Sequence, residues 1–206
     1  MRCNKIVSAL LLTSSFLSST LFAHGTGIST HPIEEKVGLL TTEFSNFVSD
    51  GKGTGIQARY TYKASPMLTL DGGIGFSNGP RKNRIFAGAD LELFPDYGKQ
   101  PRISLKGGIE NAEEFNTRRN IFSVTPLMAK GFIVAGNPIF PYFGVPLGLS
   151  LDSGRQTYAV RSAAVFGFTT KLPIENVEKL LINVEGSVKI QNSYSGLFIG
   201  LSLPMM

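Results

Sequence analysis

The sequence predicts an all-β protein, an up-and-down antiparallel β-barrel. Three observations carry this. Short segments of alternating apolar and polar residues follow one another from about Thr54 almost to the C-terminus, and strand side chains point alternately to two faces. Turn sequences rich in Gly, Pro, Asn and Asp separate those segments. Beyond the N-terminal stretch, no segment of any length carries a helical period.

The 206 residues suit one domain preceded by a targeting segment. Arg2 and Lys5 give a positive start, Ile6 to Phe22 is mostly apolar, and no acidic residue precedes Glu34. Leu21 and Ala23 stand where a small-residue cleavage signal belongs, so residues 1–23 read as a secretory signal peptide cut after Ala23. The run carries seven Ser and Thr residues from Ser8 to Thr20 and is short for a membrane helix, which needs about 20 apolar residues. Cys3 leaves with it, so the mature chain has no disulfide framework. Residues 24–35 read as a flexible leader and residues 36–206 as the barrel. The net charge of +5 becomes +3 without Arg2 and Lys5, spread along the strands rather than gathered, which argues against nucleic-acid binding. No later run of about 18 apolar residues exists, so any membrane crossing would be made by strands.

The strands follow in order. Lys36 to Phe47 is the weakest, and Ser49 to Gly53 is a turn. Thr54 to Lys63 places Ile56, Ala58, Tyr60 and Tyr62 opposite Gln57, Arg59 and Thr61. Leu68 to Ser77, Arg84 to Phe94 and Arg102 to Glu110 alternate in the same way. Asn111 to Arg119 reads as the most hydrophilic loop, and Asn120 to Ala135 as a long strand of irregular alternation. Ile139 to Leu151, Thr157 to Thr170, Lys179 to Gln191 and Ser195 to Leu203 complete a set of ten, or eight if a weak segment merges or is lost. Barrels in membranes normally have an even number. With eight or ten strands the interior is largely filled by side chains, so a wide aqueous pore is not expected.

Alternation alone does not say which face is inside. The polar face collects Arg59, Asp71, Arg84, Asp90, Glu92, Arg102, Lys106, Glu110, Arg161, Glu185 and Lys189, with many Gly and Ser between them. The other face is almost all Leu, Ile, Val, Ala, Phe and Tyr. These charges are six basic and five acidic, a balance that suits a narrow lumen where an unpaired buried charge is costly. Glycines such as Gly73, Gly75, Gly144, Gly148 and Gly200 share that face and make room for long neighbours. Tyr60, Tyr62, Phe76, Phe94, Tyr97, Tyr142, Phe143 and Tyr194 sit near strand ends, where aromatic girdles are expected. These features favour an inverted, transmembrane barrel whose charged lumen is structural and offers at most a narrow ion path.

These features together resemble the small outer-membrane β-barrel family of Gram-negative bacteria, the OmpA/OmpX/OmpW-like proteins, over roughly Lys36 to Leu203. Ile139-Phe-Pro-Tyr-Phe-Gly-Val-Pro-Leu-Gly-Leu resembles a recurring Pro-Tyr-x-Gly-x-x-x-Gly strand of that family. Tyr194, Gly196, Ile199 and Leu201 resemble its C-terminal assembly signal, although the chain ends Pro204-Met-Met and not on Phe or Trp. The resemblance implies an outer-membrane location after export, contact with outer-membrane lipid and lipopolysaccharide, recognition by the outer-membrane assembly machinery, and no cofactor.

Enzymatic chemistry finds little support. The only histidines, His24 and His31, precede the first strand, so no strand offers an imidazole for a Ser-His or Asp-His mechanism. Asp90 and Glu92 share a face, but salt bridges to Arg59, Arg84 or Lys106 account for them more simply. A copper site at His24 and His31 has only two ligands in a polar leader. Gly51-Lys-Gly-Thr-Gly55 lacks phosphate-loop spacing, and Gly72-Gly-Ile-Gly75 has no following helix. The expected function is a non-enzymatic envelope-structural or surface-interaction barrel. Two other readings stay open: a narrow channel for ions or small solutes, and a soluble periplasmic lipocalin-like barrel with its polar face outward.

Overall fold

The computed structural model describes residues 26–49, 53–79, 81–152, 157–172 and 180–205. The signal-peptide reading, His24 and the turn residues Asp50 to Lys52, Pro80 and Ser153 to Gln156 lie outside them, as does Lys179.

Twelve strands form one antiparallel sheet: β1 (Gly38–Phe47), β2 (Gly53–Ser65), β3 (Leu68–Ser77), β4 (Arg81–Phe94), β5 (Arg102–Glu114), β6 (Thr117–Ala129), β7 (Phe132–Val134), β8 (Asn137–Gly144), β9 (Leu147–Asp152), β10 (Thr157–Lys171), β11 (Leu181–Gln191) and β12 (Gly196–Met205). β1 pairs with both β2 and β12, so the sheet closes on itself. β8 and β9 lie in line between β6 and β10, interrupted at Val145-Pro146. Proline has no N–H for the ladder, and the interruption is bridged by Val145 N–H to Pro126 O and Ala163 N–H to Pro146 O. β7 prolongs β6 past Lys130 and pairs only with β8. With these two continuations the barrel has ten staves in up-and-down order, and closure leaves no open edge along them. The end holding Gly38 and Met205 is here called the base, and the opposite end the crown.

The alternation read from the sequence appears as burial. β12 reads buried, exposed, buried, exposed from Gly196 to Leu203. Arg59, Asp90, Glu114 and Glu185 are fully buried, whereas Ile74, Ile85, Ile109 and Leu203 are about half exposed. The interior is therefore polar and the exterior apolar. A lipocalin-like barrel with an apolar interior is the reverse of this arrangement. No helix among the described residues is long and apolar enough to cross a membrane.

Several elements differ from the expectation. The hydrophilic loop at Asn111 to Arg119 is strand on both sides of a two-residue turn, Phe115-Asn116. Both residues have positive φ, 50° and 60°, the backbone of a tight hairpin turn whose twist matches the strands it joins. Polarity there belongs to both faces of the strands: Glu114 is buried in the lumen, while Arg118, Asn111 and Asn120 hydrogen-bond one another on the outside and Glu113 meets Lys82. β6 alternates irregularly in sequence because Ile121, Leu127 and Ala129 face inward and are buried. Two expected girdle residues are not in a girdle. Tyr142 is buried in the lumen, and Tyr194 caps the crown. Residues 26–31 of the segment read as a flexible leader are buried, with a 3-10 turn at Gly27–Thr30.

The Phe115-Asn116 turn yields a prediction. A β-branched residue in the left-handed region is costly. Asn116→Val is expected to destabilise the refolded barrel by about 1–2 kcal/mol, with Asn116→Gly near neutral. Denaturant unfolding followed by far-ultraviolet circular dichroism measures both, since the chain has no tryptophan.

Candidate functional site

The lumen holds the only extended assembly of charged side chains among the described residues, and inward strand positions build it in three tiers. Near the base, Arg102 donates to Glu92 (2.7 Å) and Asp90 (3.1 Å), and Lys63 lies 3.8 Å from Glu92. At mid-height, Arg59 meets Glu43 (3.0 Å) and Asp71 (3.3 Å), and Lys106 donates to Asp71 (3.1 Å). Toward the crown, Arg81 bridges Glu110 and Glu114, Arg84 lies 3.8 Å from Glu110, and Arg161 grips Glu114 with both terminal nitrogens. Arg119 stands 3.9 Å from both Glu114 and Asp152. The Arg161–Glu114 pair joins β10 to β5 across the barrel.

Aromatic rings and glycines make these tiers possible. Phe86 lies between the guanidinium groups of Arg59 and Arg84, 5.1 and 5.2 Å from its centroid, a favourable cation–π arrangement. Its ring covers Gly73, where a Cβ would come within 2.7 Å of the ring and 2.2 Å of Ala58 O. At the crown, Phe115 stacks on Tyr194 at 6.5 Å, Phe47 packs on Tyr194 and Phe198, and the Arg161 guanidinium lies 6.0 Å from the Tyr194 ring. This cluster spans the mouth from the β5–β6 turn to the β11–β12 turn. Burial holds the Tyr194 hydroxyl un-ionised, pushing its pKa up to about 12 against the opposing pull of neighbouring arginines.

The leader closes the lower half. Thr26 N–H and Gly27 N–H donate to one oxygen of Glu185, at 2.6 and 2.9 Å, and the Tyr142 hydroxyl donates to the same oxygen at 2.7 Å. Asn183 donates to Tyr142 Oη and Thr169 Oγ1, fixing the ring. Gly27 presses on that ring so closely that a Cβ would overlap it, at 1.7 Å. Ile28 packs against Leu39 and Leu181 beneath. Below the turn, a cavity of about 190 Å³ opens at the base, lined by His31, Lys63, Glu92, Asp96, Arg102 and Phe140 among others. Asp96 there accepts from Lys130 Nζ and Gly131 N–H, joining two base turns. Those bonds hold its carboxyl below the ordinary range despite the desolvation that opposes them.

Ten of the eleven charged residues singled out from the sequence lie in or beside these tiers: Arg59, Asp71, Arg84, Asp90, Glu92, Arg102, Lys106, Glu110, Arg161 and Glu185. Lys189 has the inward register but is only half-buried. The sequence reading missed Glu43, Lys63, Arg81, Glu114, Arg119 and Asp152. Glu114 was recoverable by extending the alternation of β5 through Glu110 and Ala112. Arg81 was not, because a register irregularity between Arg81 and Arg84 breaks the period. Among the described residues no group of three or more His, Cys, Asp or Glu could hold a metal.

No protein-family model matches the chain, and no curated protein matches it. Among solved structures, it is similar to a de novo designed transmembrane β-barrel, with 14% identity over 84% of this chain and 98% of that one and a TM-score of 0.40. It is similar to the KdgM porin at 9% identity over 82% and 99%, TM-score 0.37. Ail, the attachment invasion locus protein of Yersinia pestis, matches at 8% identity over 84% and 100%, TM-score 0.26. At these scores the similarity bears on no residue of this chain and on nothing it does.

His31 makes the seating of the leader depend on pH. Its Nδ1 is buried without a hydrogen-bond partner, its ring meets Phe140 edge-on at 5.1 Å, and burial, with Lys171 adding to it, lowers its pKa to about 4. A released leader would have an ordinary pKa near 6.5 and would bind the proton more readily. Seating is therefore at full strength above pH 6.5 and weakens as pH falls from there through 4, by about 3 kcal/mol in all. Protease cleavage of the leader should rise over that window while the barrel stays intact, and His31→Gln should flatten the dependence. Gly27→Val, which has no room against Tyr142, gives the released reference at every pH.

Proposed function

We propose that the chain is a membrane-spanning barrel of the Gram-negative outer membrane, reached by signal-peptide export, that acts as a structural or surface-contact component of the envelope and not as an enzyme. The observation that carries this reading is the inverted burial: charges from Glu43 to Glu185 are enclosed while a band of Leu, Ile, Val and Phe is presented outward. In water such an exterior is a liability. Against hydrocarbon it is the stable solution, provided every backbone group is paired within the barrel, as closure of β1 on β12 provides. Phe94, Tyr97 and Phe132 are exposed toward the base, and Phe76 and Tyr158 toward the crown, where rings favour the two membrane–water boundaries.

Both ends of the lumen are occupied, the base by the leader and the crown by the Phe115–Tyr194 stack and the Arg161–Glu114 pair. This favours a filled strut over an open pore. Its lipid neighbours would be phospholipid and lipopolysaccharide, and insertion would use the outer-membrane assembly machinery. A narrow channel is the second reading, favoured by the charged tiers that line the lumen from base to crown.

Two measurements on the purified protein separate these readings. The membrane barrel is expected to migrate differently in SDS before and after boiling, because a closed ladder resists detergent until heated. In planar bilayers the filled lumen should give no steady conductance. A stable, ohmic conductance lost on substitution of Arg59 or Lys106 would favour the channel. An unshifted band with the protein in the soluble periplasm would overturn both.

A further inference from the structure

We propose that the cavity at the base is a binding site for a small organic acid, one carboxylate on a ring-sized apolar body, and that the bound acid holds the leader in its seat. Binding depends on the barrel and its seated leader, not on the cellular location proposed above.

The first observation is a cation with donors to spare. Lys63, Arg102 and Lys130 line the cavity beside the carboxylates of Glu92 and Asp96. All three guanidinium nitrogens of Arg102 are engaged, Nε by Glu92 and the other two by Ser104 and Asp90. Lys130 Nζ donates to Asp96, Gly98 O and Gln100 O. Lys63 differs. It is only 8% exposed. Among the described residues its ammonium meets Glu92 alone, at 3.8 Å, beyond hydrogen-bond reach. An ammonium has three donors, and leaving them unanswered inside a protein is costly. Glu92 is already held by Arg102 at 2.7 Å. A carboxylate brought in by a ligand would give Lys63 the short, charge-assisted bonds that the barrel does not.

The second observation is the shape and make-up of the space. The cavity measures about 190 Å³, and one of about 150 Å³ is enough to take a benzene ring. Phe140, Ala129, Pro32 and Pro95 give it apolar surface. His31, edge-on to Phe140, adds a buried Nδ1 without a hydrogen-bond partner. A ring with one carboxylate fits both the volume and the lining. One wall is the leader itself, Ser29 to Pro32, while the others come from β2, β4, β5, β6 and β8 and the base turns. That wall hangs from Thr26 and Gly27 on Glu185 and from the contact of Gly27 with Tyr142. The site is therefore complete only when the leader is seated. Ligand and seating are linked, and each favours the other by the same factor.

The experiment uses the purified barrel in detergent at neutral pH. para-Fluorobenzoate is titrated in and followed by fluorine NMR, with protein-free micelles as the blank. One saturable site per chain is expected. para-Fluorobenzyl alcohol and para-fluorobenzylamine, which share the ring, should bind at least about tenfold more weakly, as should the benzoate to Lys63→Met. Saturating benzoate should slow protease cleavage of the leader, and Gly27→Val, whose leader is released, should not bind it. The shift in SDS mobility on boiling checks that each variant is a closed barrel. If Lys63→Met fails that check, the comparison of acid with alcohol and amine on the unaltered chain carries the test. The proposal is overturned if the closed barrel shows no saturable binding, or if the alcohol or the amine binds as tightly as the acid. It is also overturned if a closed Lys63→Met barrel binds the acid unchanged, or if the acid binds without protecting the leader. A failure of the outer-membrane reading would appear differently, as protein in the soluble periplasm, and the acid titration would still decide the site.

Discussion

Burial of paired charge in a closed strand ladder is the constraint on which the rest of this structure depends. A guanidinium or carboxylate taken from water is tolerated only beside a partner, and the barrel wall fixes where partners stand. Arg59 can meet Glu43 and Asp71 because β1, β2 and β3 are adjacent and in register at Thr41↔Arg59 and Arg59↔Gly73. Glycine opposite arginine follows from the same need, since Gly73 leaves the space that the Phe86 ring fills between two guanidinium groups. Pairing also makes each tier brittle. Removing one partner strands the other, at about 3–5 kcal/mol, whereas an outward Leu-to-Ile exchange changes little.

The same constraint explains why the barrel is closed at both ends. Toward the crown, Arg161 reaches across from β10 to Glu114 of β5, and Tyr194 lies over it under the Phe115 ring. Phe115 holds φ at 50° to do so, an unusual backbone for an aromatic residue, sustained by the stack it makes. Toward the base, Glu185 takes its hydrogen bonds from neutral groups, the Tyr142 hydroxyl of β8 among them. The leader adds two N–H groups, and Ile28 fills the apolar niche between Leu39 and Leu181. A lumen completed by side chains and by its own N-terminal segment leaves little space for solute, which is why a structural role is preferred to transport.

Much of this was legible in the sequence. The strands and their order followed from period-two alternation, with ten staves favoured over eight, and the inward face followed from the balanced charges, the glycines among them and the strand-end aromatics, because the lumen imposes one chemistry on the face it encloses. The legible part ends where the period breaks. Arg81 was hidden by the irregular register of β4, and Glu43 by the weak apolar face of β1, where Thr42 and Asn46 point outward. Tyr142 looked like a girdle residue because its type fits both places. Only the glycines facing it, Gly27 and Gly167, distinguish them. The seated leader could not be read at all, since its burial depends on Glu185, some 160 residues away in the chain.

The central claim is that the apolar face meets lipid and the charged face does not. Nitroxide labels placed one at a time along β12, in barrels refolded into vesicles, test it most directly. β12 alternates without a bulge. Labels at Leu197, Ile199, Leu201 and Leu203 should be open to oxygen and closed to a water-soluble nickel chelate, while labels at Phe198 and Ser202 should be shielded from oxygen. Outward positions reached freely by the nickel chelate, with no oxygen preference, would contradict the account.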